Sequence, residues 1–290
     1  MTETQNDVPE HYNYLRQFYI NIFPIDVLYK MLDITEKREF SAQLSNQKVI
    51  RYLSFPTGDS LREWLLRTSP LKIDLGCEYK SAIQKGSEFD WRELVIDVDM
   101  GDYFKIENQM PNFKRKKHSK NKEISPDCIP YDPDRFVDVH FCGKLCDDCI
   151  WQMSEIINML YDVLHTNLGF KDILFFFSGN KGFHCYILDN SAKRLSNYVR
   201  ESIVIYLKSF GIIGDLAVTK DPKHLLKSPF VVHPKTGFVC LPIIKDEENN
   251  TWKIDLYHVK DVVEGVMDVQ NHIKYLEMYN KKKESFQNKN

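Results

Sequence analysis

Asp97 and Asp99 end a strongly apolar stretch, Glu93-Leu94-Val95-Ile96-Asp97-Val98-Asp99. In a strand, alternate side chains share a face, so the two carboxylates point together while Leu94, Ile96 and Val98 take the face a core can bury. Like charges held that close raise each other's proton affinity unless a cation neutralises them. Hard divalent cations with oxygen ligands suit the pair, and two such ions can clamp the attacking and leaving oxygens of a phosphoryl transfer. The plain alternative is an exposed strand end bearing two solvated acids.

Three further motifs carry possible chemistry. Phe177-Ser178-Gly179-Asn180-Lys181-Gly182-Phe183-His184 joins two apolar stretches. Its glycines permit a tight turn, and its amides, hydroxyl, lysine and histidine suit a polyphosphate. The spacing is neither that of a P-loop nor that of a dinucleotide fingerprint, and a glycine-rich hairpin with a structural histidine is the competing reading. His224-Leu225-Leu226-Lys227-Ser228-Pro229-Phe230-Val231-Val232-His233-Pro234-Lys235-Thr236-Gly237 offers Lys227, His233 and Lys235 as phosphate contacts in a proline-stiffened loop. Upstream, Asp215 is read as opening a strand and as a third carboxylate, although an isolated aspartate is more often a surface or capping residue.

The fourth motif places His140, Cys142, Cys146 and Cys149 within ten residues. Four such ligands make a closed tetrahedral zinc site, a staple with no open position for catalysis. Cys128 is the alternative to His140 as fourth ligand. A rival occupant is an iron–sulfur cluster with one open iron, but the repeated strand–helix units of a barrel are missing. Three unbound thiols are a further reading.

These motifs need a scaffold. The chain has 290 residues, 43% of them hydrophobic and 28% charged, enough for one large domain. A formal net charge of −2 gives no global field for nucleic acid, so any such surface must be local. No signal peptide and no membrane-length apolar run is visible, so a soluble intracellular protein is expected, with no membrane partner. Seven cysteines in that setting favour metal over disulfides.

Helical spacing predicts two short helices, around Leu15, Phe18, Tyr19 and Ile22 and, after Pro24, around Val27, Leu28, Met31 and Leu32. Strands are expected over 38–44 and 48–55 as a hairpin. A helix capped by Ser60 and Glu63 follows, then a strand over 71–77 before the aspartate strand. Residues 108–130 are polar, and the run 113–122 is strongly basic. We read 108–127 as a solvated, disordered insertion, with nucleic-acid contact or nuclear import compatible with that. Beyond it come a long helix over 151–168, strands over 172–177 and 182–188, and a long helix over 191–210 burying Leu195, Val199, Ile203 and Leu207. Strands over 215–219 and 237–243, a short segment over 255–258, a largely helical stretch over 262–279 and a frayed polar tail from 281 complete the chain. The fold class is α+β, a mixed sheet covered by helices.

Taken in order, the four motifs resemble the catalytic (small) subunit of replicative DNA primase, of the archaeo-eukaryotic primase superfamily. The resemblance runs from Tyr14 to about Ile243 and more loosely to Tyr279. It is most specific over His224 to Gly237, which is similar to the eukaryotic form. Arg38-Glu39-Phe40-Ser41, Ile50-Arg51-Tyr52, Lys72-Ile73-Asp74 and Asp97-Val98-Asp99-Met100 also match. It implies a single primase domain over 1–290, with an RNA-recognition-motif-like sheet flanked by helices and a zinc motif within 128–150. It further implies that Asp97, Asp99 and Asp215 hold two magnesium or manganese ions. Ser178, His184, Lys227 and His233 would hold the phosphates of the incoming nucleotide, with Asn180 and Lys181 in the same turn. Arg51 and Glu39 would sit near the pocket, and Asp74, beside Lys72, would reach the ribose. Cys142, Cys146, Cys149 and His140 would bind structural zinc.

The implied activity is template-directed RNA primer synthesis from NTPs on single-stranded DNA in the nucleus. The implied partners are a large regulatory primase subunit and, through it, DNA polymerase alpha. A repair-type primase-polymerase preferring dNTPs, or a zinc-containing nucleic-acid-binding module without catalysis, are the alternatives. Three departures from the family pattern stand out. Asn180 and Lys181 replace two arginines, losing one charge and a bidentate phosphate contact, the interval 191–214 lacks the family's helical insertion, and the first ligands of the zinc motif differ.

Overall fold

The computed structural model describes residues 9–107 and 145–287. The basic run, Cys128, His140 and Cys142 lie outside the described residues.

Helix α1 (Tyr12–Asn21) buries Leu15, Phe18 and Tyr19, as their spacing requires. Pro24 caps α2 (Ile25–Met31). Strands β1 (Arg38–Gln43) and β2 (Val49–Leu53) form the expected antiparallel hairpin. Helix α3 (Gly58–Thr68) has a capping box, but it is formed by Thr57 and Ser60, three residues earlier than expected. Ser60 thus serves as the third helical residue rather than as the cap, because Thr57 presents a hydroxyl from an extended backbone. Strands β3 (Lys72–Tyr79), β4 (Phe89–Trp91) and β5 (Leu94–Asp99) lead into α4 (Met100–Glu107).

Helix α5 (Asp147–Asp162) continues through a π turn, Val163–Asn167. Strands β6 (Ile173–Phe177) and β7 (Gly182–Ile187) follow as expected. The single long helix predicted over 191–210 is two helices, α6 (Asn190–Lys193) and α7 (Asn197–Lys208), because Ser196 caps the second with its side chain. Ile203 and Leu207 are buried, whereas Val199 is exposed. Residues 215–219 are not a strand: Asp215 caps α8 (Leu216–Lys220), accepting the N–H groups of Ala217 and Val218. Strands β8 (Leu226–Lys227), β9 (Pro242–Asp246) and β10 (Thr251–Lys253) precede α9 (Val259–Val263) and α10 (Gln270–Gln287). The tail is helical to Gln287, held by Lys283 Nζ at 2.7 Å from Asp33 Oδ2 and by Asn280 on Val27 O, so the expectation of a frayed end from 281 fails.

The strands make two antiparallel sheets. The first runs β2-β1-β3-β4, with β8 also on β3, and the second runs β10-β9-β6-β7-β5. In the second, the chain order strand, helix, two strands, helix, strand is that of the expected RNA-recognition-motif type. The spatial order departs from it, since β5 lies at an edge instead of inside the sheet. Its free side is covered by the segment entering α8, whose Asp215 N–H bonds the Asp97 carbonyl at 2.8 Å.

Two apolar cores result. Leu94, Ile96, Val98, Phe175, Phe177 and Phe183 pack with Met153, Ile157 and Leu160 of α5 and Ile203 and Leu207 of α7. The other face of the same strands contributes Val95, Leu174, Phe176 and Tyr186 to a larger core shared with Phe40, Ile73, Leu75 and helices α1, α2 and α3. The two halves are riveted by buried arginines. Arg38 makes a bidentate pair with Glu93 at 2.9 Å. Arg92 donates to the carbonyls of Pro222 and His224, and Arg200 to those of Arg92 and Glu93.

Candidate active site

Register assembles the site. On β5, alternation sets Asp97 on the face opposite Ile96 and Val98, as the spacing predicts. Asp97 stands directly across from His184, and Asp99 from Gly182. Gly182 is obligatory here, since a Cβ would fall 2.0 Å from the Val98 carbonyl oxygen. The nearest Asp97–His184 approach is 3.6 Å, longer than a hydrogen bond.

In the first sheet, Ser41, Asp74 and Lys227 are aligned across three strands on the face opposite the apolar Phe40, Ile73 and Leu75. Lys72, two residues before Asp74, pairs with it at 2.9 Å. The two sheets meet through Lys227, whose Nζ donates to Ser178 O at 2.7 Å. Tyr186 Oη donates to the Lys227 carbonyl at 3.3 Å, which fixes the backbone that carries the lysine.

The turn is closed from the other side. Gly179 has φ +83°, and a Cβ there would lie 2.6 Å from the His233 Cβ, so the loop after Lys227 is pressed against the turn. Thr236 Oγ1 donates to Gly179 O, and the Cys240 thiol to Ser178 O at 3.2 Å. His233 Nδ1 accepts the N–H groups of Lys235 and Thr236. Asn180 N–H reaches Ser178 Oγ at 3.4 Å, and the Lys181 carbonyl accepts the Met100 N–H at 2.9 Å.

Electrostatics follow from burial. The Asp97 carboxyl is pushed up to about 7, first by burial and then by the charge of Asp215, with Lys227 pulling the other way. Burial, then Lys227 and His233, holds the His184 imidazole well below its usual range, so it is neutral at pH 7. His233 is lowered to about 3 by burial and by Lys227 and Lys235. Lys227 itself is lowered, chiefly by burial. The site thus sets crowded carboxylates beside a partly desolvated cationic loop, an arrangement able to receive a charged phosphate group.

Not all expected residues converge. Arg51 and Glu39 pair at 2.9 Å, and Tyr79 Oη also donates to Glu39 at 2.7 Å. Their contacts stay within the first sheet. The carboxylates of Asp99 and Asp215 turn to helix starts, Asp99 Oδ1 taking the Gly101 N–H at 2.7 Å and Asp215 Oδ1 the Ala217 N–H at 2.7 Å. Among the described residues, no three His, Cys, Asp or Glu side chains form a group that could hold a metal ion. As a donor set the carboxylates suit a hard cation. The cap uses one oxygen of each flanking aspartate, and a cation beside Asp97 would offset the crowding that raises its value. Cys146 and Cys149 hold their sulfurs 3.6 Å apart. That is close to the ~3.8 Å edge of a tetrahedron built on zinc–sulfur bonds of about 2.3 Å.

Sequence reasoning missed Tyr186, Thr236 and Cys240. Tyr186 and Cys240 sit in apolar stretches that look like plain core, and a single threonine in a loop carries no spacing signal.

A family model described as DNA primase small subunit matches residues 131–213. The DNA primase small subunit of Caenorhabditis elegans is 26% identical over 88% of this chain and 55% of its own length. That of Schizosaccharomyces pombe is 28% identical, over 80% of this chain and 48% of its own length. The small subunit PriS of Sulfolobus acidocaldarius is 29% identical over 81% of this chain and 76% of its own. The chain therefore spans about half the length of the eukaryotic relatives it matches. The motifs read from the residues and these matches agree in what they point to: the chain is similar to the DNA primase small subunits of eukaryotes and archaea.

Proposed function

We propose that this chain synthesises RNA primers, joining NTPs on a single-stranded DNA template by nucleotidyl transfer. The observation that carries the reading is the convergence of Asp97, with Asp215 bonded to its backbone, on a turn held by Lys227 and His233. Asp97, Asp99 and Asp215 would hold two magnesium or manganese ions. Such ions supply charge neutralisation at an attacking hydroxyl and a departing pyrophosphate.

The chain's own residues do the rest. Lys227 offers a point charge to the triphosphate, and the Ser178 to Lys181 turn offers amides and a hydroxyl. Neutral His184 and His233 offer ring N–H donors without adding charge. Asp74, paired with Lys72, would accept from a ribose hydroxyl, which would favour NTPs over dNTPs. Positioning and preorganised charge then account for most of the catalysis.

Around this centre we read one domain over 1–290, a zinc staple on Cys142, Cys146, Cys149 and either His140 or Cys128, and no helical insertion between β7 and Asp215. Nuclear location, a large regulatory subunit and the DNA polymerase alpha complex belong to the same reading. A primer assay on unprimed single-stranded DNA with Mn²⁺ and labelled NTPs tests it. Wild type makes primers, and folded Asp97→Ala makes none. Primers from the folded variant would overturn the assignment, and a preference for dNTPs would favour a repair-type primase-polymerase.

A further inference from the structure

Helices α1 and α3 flank an open groove of about 540 Å³, lined by Tyr12, Asn13, Arg16, Arg67, Thr68 and Ser69. It contains none of the residues of the candidate active site. Arg16 lies on α1 and Arg67 on the last turn of α3, both exposed. Among the described residues neither guanidinium is in an ion pair or a hydrogen bond, whereas the neighbouring Arg62 is paired with Asp26. Two unpaired guanidinium groups facing one polar groove are planar forks matched to phosphate oxygens. Tyr12 adds a half-buried ring, the kind of surface on which a base stacks.

The groove also has a direction. Ser69 is followed by Pro70 and Leu71 and then by Lys72, the partner of Asp74. Tyr12 follows His11, whose ring lies 6.0 Å from that of His258, and the His258 ring packs against Gly237 at the end of the His233 loop. Both walls therefore lead into the cationic side of the pocket.

We propose that this groove holds the sugar–phosphate backbone of a single-stranded nucleic acid, with Arg16 and Arg67 on successive phosphates and Tyr12 under a base. The inference deepens the reading of the protein as a template-directed enzyme and rests on it for the identity of the strand. A net charge of −2 gives no global field for a polyanion, so a strand bound here depends on local charge such as these two guanidinium groups.

The test is binding of a fluorescein-labelled 20-mer single-stranded DNA, read by anisotropy without NTP or metal. Arg16→Ala/Arg67→Ala should weaken binding at least tenfold. It should also reduce the slope of log affinity against log salt by about 1.4, or about 0.7 for each phosphate that no longer meets an arginine. Tyr12→Ala should weaken binding about fivefold with the slope unchanged. Arg62→Ala, which removes one positive charge nearby, should leave binding as in wild type. Inorganic phosphate at matched ionic strength should compete no better than chloride, which separates a strand from a free anion. The proposal is overturned if the double variant binds like wild type, if Arg62→Ala loses as much, if phosphate alone displaces the strand, or if the wild-type chain does not bind. Because the readout needs no catalysis, a chain that binds DNA through this groove yet makes no primers would refute the enzymatic assignment and leave the groove standing.

Discussion

Asp215 donates its backbone N–H to the carbonyl oxygen of Asp97 across 2.8 Å, while its side chain caps α8. One residue thus covers the edge of β5, starts a helix and brings a second negative charge to Asp97. The cost, set first by burial and then by that charge, appears as the raised Asp97 value of about 7.

That cost sets a pH dependence. Below pH 4 the carboxyl is protonated both folded and unfolded, and the folded chain has the full benefit. As pH rises towards 7 the unfolded chain ionises first, so stability drains away. In EDTA, wild type should lose roughly 1–3 kcal/mol relative to Asp97→Asn between pH 4 and pH 7, because each tenfold difference in proton affinity between the folded and unfolded chain is worth about 1.4 kcal/mol. Urea melts at both pH values check this. On the proposed function Mn²⁺ would bind the ionised form, so its protection of wild type should grow through pH 7 and be lost in Asp97→Asn. Equal protection at pH 5 and pH 8 would refute the cause.

Lys227 is a desolvated cation that, on the proposed function, offers its charge to the triphosphate. Lys227→Met should change stability by less than about 1 kcal/mol, because a buried charge is exchanged for apolar volume. It should raise the Kd for Mn·NTP at least tenfold, about 1.4 kcal/mol. Calorimetric titration beside a thermal melt separates the two effects.

Gly179 adopts φ +83° with no room for a side chain beside His233. Gly179→Ala should cost about 1–3 kcal/mol and displace the turn from the His233 loop. Nucleotide affinity should fall with it, whereas Gly86→Ala, also at positive φ but with nothing within 4 Å, should lose stability without loss of binding.

Arg38 and Glu93 are both fully buried. Arg38→Met leaves an uncompensated carboxylate and should cost about 3–5 kcal/mol, most of it recovered in Arg38→Met/Glu93→Leu. Denaturant unfolding of the two variants decides it.

The apolar strands and amphipathic helices were legible because their periods differ, and so was the shared face of Asp97 and Asp99; the pairing of Asp97 with His184 was not, because β5 and β7 are distant in the sequence and no turn joins them. Asp215 was read as opening a strand, with a cap as the plain alternative, and the cap is what forms. Its helix is five residues long, too short for periodicity to speak, and the aspartate's own hydrogen bonds decide the conformation. The break between α6 and α7 was hidden for the same reason, since Ser196 competes locally with an otherwise continuous helical pattern. Tertiary bonds such as that from Tyr186 to Lys227 leave no trace in spacing, because each joins distant segments, here 41 residues apart. The charged end of α10 misled for a different reason: lysines look solvated until an acid elsewhere claims them.

The same acid reaches further than the helix itself. Asp33, a residue at positive φ, receives Lys283 and Lys193 on one oxygen, each at 2.7 Å. A tether of this kind makes the opening helices and the closing helix melt together. A chain shortened by a few residues before Lys283 should therefore show its first damage around Asp33, some 250 residues away in sequence.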